Sequence, residues 1–415
     1  MLLVLPFDVI DLIVDIIVKE NKDTRILKKL ALVSHSFLHI CRKYLFATVE
    51  LHDANLIYHA SSKKGFVKLL KRSPNVVNYI RNLTYEIEFS HFQSSQFSTT
   101  HPSFDNDDDL LSSTLPNFLR TIPCLNYLKI RASTLDWNKL NPSLILAFLH
   151  LMHLPSINHI DLSSIKNFPL SSLTPSVNLL RLDISRLRYL NPPEEDYSFE
   201  IVLSEAMPNI REFHSSESSL LTTKLLHAKT QDGQPAFNFM DLRRLSMSLT
   251  SYDAPNLRYL LQNAKLLEKL RLSVGHGQSL VGLLSPIACT LKVLDLTVLL
   301  SQFLVPPLAG LCEELEKMAG HTNKLEALSP EVLVGLYDAE DFIGSIIQNV
   351  EKVLLVIKPG WSALRAVSFK VTCMSMDTPV RYRDLARALQ YLPERYLRHL
   401  SKLESVAFNY SVNVD

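Results

Sequence analysis

One short pattern constrains this chain more than any other: apolar-x-x-apolar-x-apolar, returning again and again from residue 80 onward. It reads Leu125-Leu128-Ile130, Ile157-Ile160-Leu162, Val177-Leu180-Leu182, Ile210-Phe213-Ser215 and Leu242-Leu245-Met247. It continues as Leu267-Leu270-Leu272, Leu291-Leu294-Leu296, Leu364-Val367-Phe369 and Leu403-Val406-Phe408. Weaker copies start at Ile80 and at Leu325, where Pro330 interrupts the third apolar place. Side chains alternate along a β-strand, so the fourth and sixth positions share one face and the third and fifth share the other. A strand with one strongly apolar face has to be covered. Leu144 to Leu154, Leu257 to Leu266, Leu308 to Met318 and Phe342 to Leu355 carry the spacing of helices that would return the chain to the next strand.

The copies start between 20 residues apart (Ile157 to Val177) and 45 apart (Ile80 to Leu125). That range brackets a leucine-rich repeat with insertions. The chain holds 75 leucines among 415 residues but only 10 glycines. Folds that cradle phosphates or dinucleotides need glycines at fixed spacings, so this balance argues against them. The expected fold class is α/β: an irregular leucine-rich-repeat solenoid, a curved parallel sheet with outer helices, preceded by a small three-helix domain. The boundaries fall at 1–50 for the helices, 51–78 for a connecting segment and 79–415 for the array. Polar loop insertions are expected near 90–114, 191–198 and 228–235. Eight residues after the first apolar place, where such repeats often carry Asn or Cys, six copies here carry Ser133, Ser185, Ser218, Thr250, Thr372 and Ser411. A hydroxyl there can bond loop backbone groups.

The net charge of +1 gives no footprint for nucleic acid. Five scattered cysteines, none in a C-x-x-C pair, suit a reducing compartment. Asp8, Asp11 and Asp15 break the early apolar run, so no export leader is expected; no uninterrupted apolar stretch is long enough to suggest a membrane span. The expected setting is therefore intracellular, in cytoplasm or nucleus, without a membrane partner. The Asp105–Asp109 run fails as a calcium loop, because Leu110 and Pro116 hold the glycine and glutamate places. Gly275-His276-Gly277 lacks a third glycine at Leu280. His35 and His39 lie four apart near Cys41 without a fourth ligand, which favours a structural role. No catalytic site, metal site or cofactor is expected.

The first fifty residues read as three short helices. Pro6 suits the first position of one carrying Val9, Leu12, Ile13, Ile16 and Ile17 as an apolar stripe, with the three aspartates opposite. Asp23 suits the N-cap of a second, with Leu27, Leu30, Ala31 and Val33. Ser34 or Ser36 can start a third, with Phe37, Ile40, Cys41, Tyr44 and Leu45. So few residues cannot bury all these side chains against each other, so they dock on the rest of the chain or present a sticky surface.

Leu5-Pro6-x-Asp8-Val9-Ile10, then Leu30-Ala31-Leu32-Val33-Ser34-x-Ser36-Phe37, then Cys41-Arg42-x-x-Leu45-Phe46, resembles an F-box. The likeness is to the version found in large fungal (basidiomycete-type) F-box families. Asp8 stands where a Glu is usual, and Phe37 where a Trp is usual. The resemblance covers about an eighth of the chain. It implies binding of a Skp-type adaptor and, through it, a cullin ubiquitin ligase. The adaptor-contact role then falls to Leu5, Pro6, Val9, Ile10, Ile13, Ile17, Leu27, Leu30, Val33 and Phe37; their own core and the adaptor face are not separable by sequence.

The outward third and fifth positions form a column of pairs that is a candidate face for an unknown protein substrate. Its polar members are Tyr127, Lys129, His159, Asp161, Arg181, Glu212, His214, Arg244, Lys269, Arg271 and Asp295. Together these readings describe a non-catalytic receptor that tethers a target near a ligase. Two alternatives stay open: an interaction scaffold whose first helices only cap the repeats, and an enzyme with an unrecognised site.

Overall fold

Every copy of the six-residue motif forms or borders a parallel strand. The computed structural model describes residues 6–20, 24–52, 62–87, 106–188, 201–202, 207–275, 278–300, 310–319, 323–334, 351, 361–373, 389–391, 394, 398 and 406–414. The chain divides into two compact units: Met1–Pro208 with Ala228–Ala236, and Asn209–His227 with Phe237–Asp415.

The first unit opens with helices α1 (Phe7–Glu20), α2 (Thr24–Leu30) and α3 (His35–Leu45). Strands β1 (Thr48–Leu51), β2 (Asn82–Ile87), β3 (Tyr127–Asp136), β4 (His159–Lys166) and β5 (Arg181–Ser185) follow, each paired in parallel with the next. Helices α4 (Ser62–Arg72), α5 (Asn106–Arg120) and α6 (Pro142–Met152) return the chain between the first four strands. A short 3-10 turn, Leu170–Leu173, serves between β4 and β5. Two-residue strands β6 (Ile201–Val202) and β8 (Lys229–Thr230) pair with each other.

The second unit repeats the plan. Strands β7 (Glu212–Ser216), β9 (Arg244–Leu249), β10 (Lys269–Val274), β11 (Val293–Leu300), β12 (Ala327–Val334), β13 (Ala366–Cys373) and β14 (Ala407–Val414) are parallel neighbours in that order. Helices α7 (Ser219–His227), α8 (Ala254–Asn263) and α9 (Leu311–Ala319) lie in the connections. The architecture is α/β with extensive parallel sheet.

The registers line up the motif. Leu83, Leu128, Ile160 and Leu182 form one buried row, and Tyr85, Ile130, Leu162 and Ile184 the next. A backbone signature accompanies most steps: the carbonyl just before one strand accepts two N–H groups from the start of the next. Ala47 takes Arg81 and Asn82, Arg81 takes Asn126 and Tyr127, and Asn126 takes Asn158 and His159. Arg243, Glu268, Lys292 and Glu326 do the same in the second unit. These shared carbonyls satisfy donors where the strand ladder begins.

The structure corrects several sequence expectations. In β5, Leu182 pairs with Ile160 and Ile184 with Leu162, so the motif is Leu179-Leu182-Ile184 rather than Val177-Leu180-Leu182. Leu179 is buried while Val177 and Leu180 are largely exposed. In β14, Phe408 pairs with Val367 and Tyr410 with Phe369, again two residues beyond the expected place. Pro330 stays within β12 at a buried position, and the pairing with β13 skips Ser329 and Pro330. A proline has no N–H to give the ladder, so the break falls there. The strand at Thr48–Leu51 adds a copy unread from the sequence, Phe46-Val49-Leu51, in register with Ile80-Leu83-Tyr85.

Helix α8 starts ahead of Leu257 because Pro255 occupies its first turn, where a missing N–H costs nothing. The loop expected over 90–114 is helical from Asn106. The loop near 228–235 is described and turns at Gly233 with φ 76°. The insertion at 191–198 and the helix expected at Phe342 to Leu355 lie outside the described residues, apart from Glu351.

Candidate functional site

Three helices, α1 to α3, close over a small core of Ile10, Val14, Leu27, Ile40 and Cys41. Ile17, Leu30 and Phe37 pack against it, and Ile13 is half-buried. Ser34 is the N-cap of α3, its Oγ accepting from the Phe37 N–H at 3.4 Å. Spacing alone reads one apolar stripe on α1, but the helix has two. Ile10 and Val14 face inward, whereas Phe7, Val9, Leu12 and Ile16 are exposed. Two of the three aspartates face α3: Asp11 meets Lys43 at 3.4 Å, and Asp15 accepts from Tyr44 at 3.4 Å.

Of the residues assigned to adaptor contact, Ile10 and Leu27 therefore belong to the module's own core. Pro6, Val9 and Val33 are exposed, and Leu5 lies outside the described residues. The turn after α2 carries the most exposed apolar side chains of the module, Leu32 at 87% and Val33 at 66%. Ile26 adds to them. Leu32, Leu12, Ile16 and Phe7 are absent from the residues assigned to adaptor contact, because only the turn geometry and the α1–α3 packing show which side is covered.

Cys41 is fully buried, and burial pushes its thiol up. His39 instead sits between the rings of Phe7 and Tyr79, with centroids at 6.1 and 6.2 Å. No metal-ligating group of three appears among the described residues.

The outward column falls into two groups, one in each unit. On β3 to β5, Tyr127, Lys129, His159, Asp161 and Arg181 meet in one connected cluster. Lys129 Nζ lies 2.9 Å from Asp161, and the Tyr127 hydroxyl donates to the same carboxylate at 3.3 Å. The Tyr127 and His159 rings stack at 4.4 Å with a 37° tilt. Burial, then the Asp161 carboxylate, holds the Tyr127 phenol far above its ordinary value, so it remains a donor.

Asp183 completes this cluster and was missed by the sequence reading. His159 Nε2 lies 3.0 Å from Asp183 Oδ2, and Arg181 reaches both carboxylate oxygens at 2.9 to 3.2 Å. Burial pushes the Asp183 carboxyl up, but hydrogen bonds from His159 and Arg181 outweigh it, and the group titrates below the ordinary range. The two-residue register error in β5 hid it: Pro175 sits two before Val177, matching Pro123 and Pro155 in the preceding copies. Glu86 and Arg131 were also missed, at the seventh position, 3.5 Å apart. Alternation carried two residues past the motif would have found them.

In the second unit, Glu212 meets Arg244 at 3.1 Å. Asp295 meets both Lys269 at 3.1 Å and Arg271 at 3.3 Å. Three bases of the column, Arg244, Lys269 and Arg271, thus meet two acids. The acid is the more buried partner in these pairs, so bases form the outer layer: Asp295 is 17% exposed and Arg271 59%. His214 stands beside Ser246 in register.

The hydroxyls eight residues after the first apolar place do different jobs. Thr250 accepts from the Asp253 N–H at 3.2 Å, as expected of a loop-bonding residue. Ser218 donates to the Ser216 carbonyl at 2.9 Å, Ser185 bonds Ser163 at 2.8 Å, and Thr372 bonds Glu331 at 3.2 Å. Ser133 is exposed.

No helix among the described residues is long and apolar enough to cross a membrane. A scan against protein-family models found no match, and a search of curated proteins found no relative.

Proposed function

We propose that this chain is a substrate-recognition subunit of a Skp–cullin–F-box ubiquitin ligase. Its α1–α3 module binds a Skp-type adaptor, and its parallel strands are leucine-rich repeats of a solenoid whose open sheet face captures a target protein. It acts by tethering: a bound target is held at high effective concentration near the ligase's catalytic subunits.

One observation supports the adaptor half most strongly. The segment that resembles an F-box keeps seven large apolar side chains exposed: Phe7, Val9, Leu12, Ile16, Ile26, Leu32 and Val33. Apolar surface this dense on so small a module marks an interaction site. Its core is complete without them, so they are available to a partner. For the target half, support comes from the ordered, partly desolvated clusters around Asp161, Asp183 and Asp295, which present charged groups in fixed positions.

Co-expression with a Skp-type adaptor tests this reading. The full chain should co-purify with the adaptor, and a Leu12→Ser, Leu32→Ser variant should not. Failure of the unaltered chain to retain the adaptor would leave α1–α3 as a cap on the repeats.

A further inference from the structure

Strand β14 lies at an edge: among the described residues it pairs with β13 on one side and with no strand on the other. The Ala407 N–H donates to the Arg365 carbonyl at 2.8 Å, on the β13 side. Backbone groups alternate sides along a strand, so Phe408, Tyr410 and Val412 turn their N–H and C=O groups to the open edge. Natural proteins blunt such edges with short strands, charge or proline. In the first unit the edge strand β1 has four residues and carries Glu50. By contrast β14 has eight residues, with no charge, no proline and no glycine. Nothing in its composition discourages a further strand.

Its inward row is also incompletely covered. Val367, Phe369 and Val371 on β13 are buried, whereas Phe408, Tyr410 and Val412, paired with them on β14, are only half-buried. A strand outside β14 would cover them. The chemistry of β14 suits a copy of itself. Laid antiparallel about Ser411, it sets Tyr410 opposite Val412 as a hydrogen-bonded pair, and aromatic against β-branched is a favourable cross-strand combination. Asn409, Ser411 and Asn413 are exposed on the outward face. The same register sets Asn409 opposite Asn413 and Ser411 opposite itself. No like charges meet, and amide and hydroxyl groups each both donate and accept. We propose that two copies of this chain dimerise through β14, edge to edge and antiparallel, about a two-fold axis at Ser411. Such a contact is isologous and closes on itself. It needs neither adaptor nor target.

Analytical ultracentrifugation of the full chain over a range of concentrations tests the pairing. A reversible equilibrium ending at twice the mass of the chain is expected. Val412→Pro removes an edge N–H from each copy and leaves the β13 ladder intact; it should weaken the dimer roughly tenfold. Ser411→Glu sets a carboxylate beside Lys370 in its own chain but opposite its own copy across the axis. It should weaken the dimer about fivefold and leave the melting temperature of the dilute monomer unchanged. Cysteine substitution reads the register directly. In a Cys124→Ser, Cys289→Ser background, which removes the exposed thiols among the described residues, Ser411→Cys should cross-link to its copy under a mild oxidant. Asn409→Cys should not, because Asn413 faces it. A monomer at every concentration, or open-ended growth beyond a dimer, would overturn the pairing. So would a dimer that Val412→Pro leaves unaffected, or one in which Ser411→Cys fails to cross-link.

Discussion

Glu314 is a fully buried carboxylate on α9 that holds three backbone N–H groups: Gly282 at 2.7 Å, Leu284 at 2.8 Å and Ser285 at 3.2 Å. Lys317 lies 3.4 Å from its other side. Burial alone would raise this carboxyl, but the backbone donors outweigh it and hold it below its ordinary value of 4.5. A group depressed in the folded state stabilises fully above the ordinary carboxylate range and loses that contribution as pH falls through its folded value. Glu314→Gln removes one acceptor and should cost about 2 kcal/mol at neutral pH. Its melting temperature should also fall less steeply than the wild type's on acidification; parallel pH profiles would refute the assignment. Leu179 and Val177 test the register of β5 in the same way. Leu179→Ala should cost about 2–5 kcal/mol and Val177→Ala about 0.5 kcal/mol or less, read from denaturant unfolding. The Leu-rich motif was legible wherever apolar residues occurred only at its own spacing. It misled at Val177 because Leu179 and Leu180 are adjacent, and sequence cannot tell which one points inward.

At the scale of elements, α1 shows the same ambiguity. Ile, Val and Leu occupy most of its surface, so spacing defines two stripes, and packing on α3 selects Ile10 and Val14. The existence of the three helices, Ser34 as one of two candidate caps and the alternating burial of β2, β4, β9 and β10 were legible, because each rests on local chemistry. The exposed turn at Leu32 was not, because its environment is set by tertiary packing. Ile10→Ala should therefore destabilise the module by about 2–4 kcal/mol. Leu12→Ser and Leu32→Ser should leave its melting temperature nearly unchanged. Thermal unfolding followed by circular dichroism separates these outcomes, and a large loss in the serine variants would mean that those side chains are core.

Over the whole molecule, one repeated unit serves two ends. Its inward rows supply stability through apolar burial, on the order of 1.5–3 kcal/mol for each fully buried Leu or Ile. Its outward rows carry partly buried acids, with Lys129, Arg181, Lys269 and Arg271 held in place by Asp161, Asp183 and Asp295. Sequence located this column but not its pairing, since Asp183 and Glu86 emerge only from the strand registers. The adaptor-binding claim stands on the opposite kind of surface, an apolar one left uncovered. Its most direct test is a calorimetric titration of the purified full chain with a purified Skp-type adaptor, alongside the Leu12→Ser, Leu32→Ser variant. A saturable one-to-one complex, weakened by at least about tenfold in a variant that melts normally, is the predicted result. No heat of binding from the unaltered chain, or equal affinity in the variant, would contradict it.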